Sequence, residues 1–204
     1  FNNLEIDHIR SYPLGEKAAH ILGYVSEISA EELQDAKFAD YTAGDRIGRG
    51  GVEETYEKIL KGIDGGKVVE VDAQGIVKRI IRKTQPIPGH NLYLSIDSDL
   101  QKKVYNILGE GTKKSGSCCS AALIQDPLSG QILAMISLPS FDPHQVTPFL
   151  TDANSPLLNR AIAGVYPPGS TFKIVSSIGG LASGKITSQT HFEDTGQIFL
   201  GPFR

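Results

Sequence analysis

Two apolar segments joined by a short turn constrain the fold of this chain more than any other feature. They stand on either side of residues 126–130 in the stretch CSAALIQDPLSGQILAMIS. Asp, Pro, Ser and Gly favour tight turns, so the stretch predicts a β-hairpin. Because its strands show little polar alternation, we expect them inside a sheet that helices cover on both faces. The hairpin therefore indicates an α+β domain.

A helix is predicted directly before this hairpin. Asp97 or Ser98 can cap it, and its buried stripe consists of four apolar residues: Leu100, Val104, Ile107 and Leu108. The preceding residues 91–97, NLYLSID, are a candidate strand. After the hairpin, residues 139–159 are rich in Pro, Asp, Asn and Ser, which is typical of a long surface loop.

The first third of the chain predicts a second set of helices and strands. Ser29 and Glu32 have the spacing of a capping box. An amphipathic helix that ends at Gly62 is indicated by apolar residues at helical spacing: Val52, Tyr56, Ile59 and Leu60. β-Branched runs on both sides of Gln74 and Gly75 predict a hairpin with one solvent-exposed face.

A break between these two parts lies at residues 84–91, TQPIPGHN, where two prolines and a glycine interrupt all periodicity. A chain of 204 residues is long enough for one small domain and part of a larger one. We therefore expect domains at residues 1–85 and 86–204.

Composition argues against several function classes. The formal net charge is −3 with acids and bases interspersed, so there is no basic stripe and we expect no nucleic-acid partner. Cys118 and Cys119 are adjacent and have no ligand-spaced neighbours, so we predict no metal site and no cofactor, and interpret both as small apolar residues leading into a strand. The scattered histidines are interpreted as structural: His20, His90, His144 and His191.

Targeting signals are also absent from the sequence. It contains no run of about 18 apolar residues, no secretory signal and no starting methionine. We therefore expect the chain to be part of a longer protein.

Ser170 and Lys173 are the residues with the clearest chemical potential. The spacing places both on one helix face, where the lysine amine can accept the serine proton while it is neutral. The Pro-Pro-Gly turn before Ser170 places it in the first helical turn, where backbone N–H groups favour negative charge. The helix is expected to end at Gly184 and to be buried along an apolar stripe: Ile174, Val175, Ile178, Leu181 and Ala182. Ser-x-x-Lys is common by chance, but this context indicates a nucleophile and its base.

Four stretches resemble class B penicillin-binding proteins. NRAIAGVYPPGSTFK resembles their active-site segment, AALIQDPLSGQILAMISLPSFDP their transpeptidase strand pair with the following loop, and GRGGVEETYEKILKGIDG with EVDAQG their upstream pedestal. The resemblance implies an α+β chain in which a pedestal (dimerisation-type) domain precedes the N-terminal part of a β-lactamase/transpeptidase-like domain. YPLGEKAAHILGYVSEIS and EVDAQGIVKRI are most similar to the elongation-specific members, the penicillin-binding protein 2 group.

This resemblance implies a peptidoglycan D,D-transpeptidase of cell-wall elongation and cell shape. Ser170 would be acylated by the penultimate D-Ala of a stem peptide, with loss of the terminal D-Ala, and an amine of a neighbouring strand would then take the acyl group. Lys173 matches the family's activating lysine, and the Ser170 N–H would be half of an oxyanion hole. β-Lactams would acylate the same serine.

The resemblance also implies partners and a location. The partners are peptidoglycan stem peptides, β-lactams, a membrane glycosyltransferase and shape-determining proteins, at the periplasmic face of a bacterial inner membrane. The family's Ser-x-Asn and Lys-Thr-Gly motifs do not occur in the sequence. We therefore expect this chain to lack the N-terminal anchor and the C-terminal part of the transpeptidase domain, and to be inactive alone.

Two alternatives stay open. A class D-like β-lactamase or β-lactam sensor can share the string Ser-Thr-Phe-Lys, although such a protein is not expected to carry a pedestal like residues 1–85. The first 85 residues could instead form a non-catalytic interaction module of the elongation complex. A persistent acyl-enzyme, rather than turnover of a β-lactam, would separate the transpeptidase from the β-lactamase.

Overall fold

The computed structural model describes residues 9–194 and residue 196. It divides into two compact units, Phe1–Gly164 and Val165–Arg204, which are described separately. Helices and small antiparallel sheets are mixed along the chain, so the predicted α+β class is confirmed. In the described part of the chain, none of the helices combines the length and apolar character needed to cross a membrane.

The first sheet of the first unit joins two strands that are distant in sequence. A short helix, α1 (Ala19–Leu22), leads into strand β1 (Tyr24–Glu27), which pairs antiparallel with β2 (Arg46–Arg49). Two 3₁₀ turns, Glu32–Gln34 and Ala36–Phe38, lie between these strands.

The predicted capping box at Ser29 and Glu32 is confirmed. The Glu32 N–H donates to Ser29 Oγ over 3.2 Å, and the Ser29 N–H donates to Glu32 Oε2 over 2.9 Å. Arg49 of β2 also donates to both carboxylate oxygens of Glu32. These bonds attach the segment between β1 and β2 to the sheet. The hydrogen bonds from Arg49 are also the main cause that lowers the pKa of Glu32 to about 2.

The amphipathic helix predicted around Tyr56 is divided in two. Helices α2 (Gly51–Thr55) and α3 (Glu57–Leu60) meet at Tyr56, whose φ of −112° and ψ of 19° leave the helical range. Tyr56 and Ile59 are exposed, whereas the buried residue is Glu53, 7% exposed.

Glu53 can be buried where apolar side chains were expected because its carboxylate has polar partners. Arg10 Nε and Nη2 lie 2.9 and 3.0 Å from its two carboxylate oxygens, and the Tyr12 hydroxyl donates to Oε1 over 3.4 Å. Burial of the carboxylate raises the pKa of Glu53. The helix therefore buries an ion-paired carboxylate where the sequence pattern predicted apolar side chains.

The second hairpin is confirmed, but its predicted burial is wrong. Strands β3 (Gly66–Val71) and β4 (Val77–Thr84) pair antiparallel, and the Asp72 carboxylate accepts the N–H groups of Gln74 and Ile76 in the turn. All eight residues of β4 are exposed. Both faces of β4 are exposed to solvent because, among the described residues, no second layer packs on this two-stranded sheet.

The segment predicted as a break, residues 84–91, packs back against the end of α3. Ile63 and Ile87 exchange backbone hydrogen bonds of 2.8 Å. A Cβ atom on Gly89 would lie 2.0 Å from the Leu60 carbonyl oxygen, so this crossing requires glycine. Residues 91–97 do not form the predicted strand, because among the described residues a single backbone hydrogen bond, from the Asp97 N–H to the Leu133 carbonyl, joins them to a strand.

Helix α4 (Ser98–Ser115) and its cap confirm the prediction. Asp97 is the N-cap, and its carboxylate accepts the N–H groups of Asp99 and Leu100 at 2.9 Å each. Of the predicted stripe, Leu100, Val104 and Leu108 pack on the core. The predicted burial of Ile107 is wrong, since this residue is 70% exposed.

The apolar hairpin is confirmed as β5 (Ser120–Gln125) paired with β6 (Ile132–Leu138). Alternate residues of β6 form a cluster with α4: Ala134, Ile136 and Leu138. On the other face, Ser137 Oγ accepts the Arg160 N–H over 3.0 Å and donates to the Leu158 carbonyl over 2.9 Å. Helix α5 (Arg160–Ala163) therefore covers that face, and β6 is buried on both sides as expected. For β5 the expected burial is wrong, since Leu123 is 46% exposed.

The loop at residues 139–159 is irregular as predicted, apart from a 3₁₀ turn at Thr147–Phe149. It is not purely a surface loop, because Phe141 and Pro156 are buried. The loop holds residues 12–20, here called the N-terminal segment, through several contacts. His144 Nε2 accepts the Tyr12 N–H over 3.2 Å, Ser140 Oγ donates to the Glu16 carbonyl, and His20 Nε2 donates to the Pro156 carbonyl over 2.7 Å.

The second unit contains a 3₁₀ turn, Gly169–Phe172, and helix α6 (Lys173–Ala182). The predicted end at Gly184 is confirmed by its positive φ of 67°, which suits glycine. The expected burial is wrong, because no residue of α6 is buried and its apolar side chains are exposed. Ile186 folds back and packs against Gly180 of this helix.

Candidate functional site

Ser170 and Lys173 lie in one turn of the second unit. Gly169 adopts a φ of 53°, which only glycine tolerates readily, and turns the chain directly before Ser170. The Lys173 N–H donates to the carbonyl groups of Ser170 and Thr171. The backbone therefore places the two residues one above the other, as their spacing predicts.

The α-helix begins later than the sequence pattern indicated. Ser170 lies in the 3₁₀ turn, and α6 starts at Lys173. Thr171 accounts for the tighter turn, because its N–H and its hydroxyl both donate to the Pro168 carbonyl, at 3.2 and 2.5 Å. Ser170 thus precedes the helix by one turn and does not occupy its first turn.

Both candidate side chains are exposed. In the described part of the chain, neither the Ser170 hydroxyl nor the Lys173 ammonium group makes a side-chain hydrogen bond to protein. An exposed hydroxyl can meet a large substrate, such as a peptide, without rearrangement of the turn.

The first unit contains a separate cleft of about 720 Å³. Its walls come from α1, α2, the end of β2 and α5, and they include His20, Tyr24, Arg49 and Phe141. His20 is a structural residue here, as predicted: its ring contacts Phe141 edge-on at 5.1 Å between centroids, and burial lowers the pKa of its imidazole. The cleft contains neither Ser170 nor Lys173.

The other candidate ligand groups do not assemble. Among residues 9–194 and 196, no group of three or more His, Cys, Asp or Glu side chains has the geometry to bind a metal ion. His144 contacts Asp142 over 3.0 Å and accepts the Tyr12 N–H, so it too has structural partners.

One polar residue that the sequence did not indicate is central to the first unit. Gln101 of α4 is fully buried. Its Nε2 donates to the Lys17 and Met135 carbonyls over 2.6 and 2.8 Å, and its Oε1 accepts the Met135 N–H over 2.9 Å. This one side chain links α4, β6 and the N-terminal segment.

Two protein-family models match the chain. Residues 3–94 match the penicillin-binding protein dimerisation domain, and residues 120–202 match the penicillin-binding protein transpeptidase domain. The second match contains Ser170, Lys173 and the β5–β6 hairpin.

Curated relatives are similar along most of the chain. Peptidoglycan D,D-transpeptidase MrdA of Escherichia coli K12 is 37% identical over 200 residues, which cover 92% of this chain and 30% of the relative. MrdA of Acinetobacter baumannii is 37% identical, covering 97% of this chain and 30% of the relative. Penicillin-binding protein 3 of Bacillus subtilis is 34% identical, covering 87% and 26%.

The chain spans about a third of the length of these relatives. Within that third, the similarity runs through both the dimerisation and the transpeptidase matches and includes the Ser170–Lys173 turn. The chain therefore belongs to the penicillin-binding proteins, and within them it is similar to the MrdA group.

Proposed function

We propose that the protein containing this chain is a peptidoglycan D,D-transpeptidase that works through an acyl-enzyme on Ser170. The observation that carries the proposal is the Ser170–Lys173 turn, located within the transpeptidase match and held by the Lys173 N–H bond to the Ser170 carbonyl. The names of the MrdA relatives support the same activity.

In the first half-reaction, neutral Lys173 takes the proton of the Ser170 hydroxyl. The Ser170 oxygen attacks the carbonyl carbon of the penultimate D-Ala of a stem peptide, and a C–O bond forms. The bond from that carbon to the terminal D-Ala nitrogen then breaks, and the nitrogen leaves as an amine after it receives the proton. The Ser170 N–H contributes half of an oxyanion hole, a kind of donor whose loss costs about 100-fold to 1,000-fold in rate.

In the second half-reaction, an amine of a neighbouring stem peptide attacks the ester carbon. A new amide forms as Lys173 takes a proton from the attacking nitrogen, and the Ser170 oxygen leaves and receives that proton from Lys173. A β-lactam would be attacked by the same oxygen, and its opened ring would remain on Ser170 as a stable ester.

The proposed setting is cell-wall elongation at the periplasmic face of the inner membrane. A membrane glycosyltransferase and shape-determining proteins are proposed as partners, since the MrdA-like part extends through the dimerisation match. We propose domains at residues 1–85 and 86–204. The family matches end and begin at residues 94 and 120, on either side of α4.

Labelling of the intact protein with a fluorescent penicillin tests the nucleophile. We expect peptide mapping to find the label on Ser170 and the Ser170→Ala variant to remain unlabelled. Ser176→Ala is the matched control, because Ser176 lies on α6 and its hydroxyl donates to the Phe172 carbonyl. The control should label like the wild type.

Label on another serine, or full labelling of Ser170→Ala, would refute the assignment. Release of the label by hydrolysis within minutes would instead favour a β-lactamase. A labelled protein that fails to cross-link stem peptides would favour a sensor.

A further inference from the structure

The link between α4 and β5 brings the two cysteines of the chain together. Helix α4 ends at Ser115 and is followed by Gly116, which has a left-handed φ of 66°. The Ser117 hydroxyl donates to the Cys119 carbonyl over 2.8 Å. In this turn the sulfur atoms of Cys118 and Cys119 lie 2.7 Å apart.

Both thiols are accessible to reagents. Cys118 is exposed and Cys119 is half-buried. Apart from each other, no side chain among the described residues forms a hydrogen bond with either sulfur. If one sulfur forms a bond with a reagent, the nearest nucleophile that can attack that sulfur is therefore the other cysteine sulfur.

A bond between them would be strained. Adjacent Cα atoms are about 3.8 Å apart across a trans peptide, whereas disulfides usually join Cα atoms about 4.4–6.8 Å apart. Strained, exposed disulfides are easily reduced and are the labile ones in proteins. Such a bond would serve reversible chemistry better than permanent cross-linking.

We propose that Cys118 and Cys119 form a reversible dithiol–disulfide site that exchanges with small or protein-borne disulfides. One thiolate attacks the external disulfide, a mixed disulfide forms, and one external thiol leaves. The second thiolate attacks the protein sulfur of that mixed disulfide and expels the second external thiol. The protein loses two electrons and two protons, and the external disulfide becomes two thiols.

The neighbouring groups set the reactivity of the site. The hydrogen bond with the Cys119 thiol raises the pKa of Cys118, so the attacking thiolate becomes more abundant as pH rises. Ring closure constrains the peptide between the cysteines and alters the Ser117–Cys119 hydrogen bond at the entrance to β5. The site is independent of the proposed transpeptidase reaction, because it uses none of its groups.

The test is exchange of the intact protein with oxidised glutathione. After quenching with acid and alkylation, trypsin releases residues 115–160 with both cysteines in one peptide. We expect this peptide to lack two hydrogen atoms, to resist alkylation and to become alkylated at both cysteines after dithiothreitol. The reaction should be faster in the native protein than in urea, since the fold places the sulfurs together.

The single variants Cys118→Ser and Cys119→Ser provide the control. Each retains a first thiol but no resolving thiol, so a glutathione adduct should persist on the remaining cysteine. Stable adducts on both cysteines of the wild type, or full alkylation after the oxidant, would overturn the proposal. An equal rate in urea would also overturn it, because the fold would then contribute nothing.

Discussion

Replacement of Gln101 by leucine tests whether one buried side chain holds three elements together. The substitution removes three hydrogen bonds, to the Lys17 carbonyl and to both backbone groups of Met135, and leucine fills a similar volume. The Met135 bonds are buried, and an unpaired buried backbone group costs about 1–3 kcal/mol. Two such groups, offset in part by the burial of the apolar leucine side chain, should lower the free energy of unfolding by about 2–4 kcal/mol.

Urea denaturation measures this loss. The chain has seven tyrosines and no tryptophan, so the near-UV circular dichroism of tyrosine reports its tertiary structure. With a dependence of about 2 kcal/mol per M urea, the midpoint should fall by about 1–2 M. Gln125→Leu is the matched control, because Gln125 is exposed and its amide bonds only the Gly130 carbonyl.

We expect the control to change stability by less than about 0.5 kcal/mol. If Gln101→Leu shifted the midpoint no further than Gln125→Leu, the reasoning on buried unpaired groups would be refuted for this site.

Two further predictions concern charge. In the intact protein, Lys173→Arg keeps the positive charge but cannot act as a base, so penicillin labelling should slow by at least about 100-fold. The control Lys185→Arg should label at the normal rate. An unchanged labelling rate for Lys173→Arg would exclude Lys173 as the base. Because the folded pKa of Glu32 is about 2 and its ordinary value is 4.5, its contribution to stability is complete above pH 4.5 and is lost as pH falls toward 2. The stability difference between wild type and Glu32→Gln, measured by urea denaturation, should therefore shrink across this window. A constant difference, or an equal change in the exposed control Glu31→Gln, would contradict the assignment.

Local signals predicted much of α4 and of the β5–β6 hairpin. The Asp97 cap, the apolar stripe of α4 and the turn at residues 126–130 depend on residues close in sequence, so they were visible without the fold. Gln101 was not visible, because it directly follows Leu100 of the stripe and its partners are 34 and 84 residues away. No helical pattern distinguishes a buried glutamine from a solvated one.

Patterns of apolar residues predicted elements better than they predicted burial. The stripes of α6 and the runs of β4 form the expected helix and strand, yet both are exposed. Periodicity indicates which side chains share a face, whereas burial requires another layer. The same limit applies to the Ser170–Lys173 pair: its spacing was readable from the sequence, but the exposure of both side chains was not.

The contacts between the 139–159 loop and the N-terminal segment affect the order in which the chain can fold during synthesis. His20 and its acceptor Pro156 are separated by 136 residues, and Tyr12 and His144 by 132. At translation rates of about 5–20 residues per second, a ribosome needs about 7–27 s to make the residues between His20 and Pro156. The hairpin β3–β4 has its contacts within 19 residues and can form at once. The N-terminal segment, although synthesised before the loop, must wait for the loop before these contacts can form.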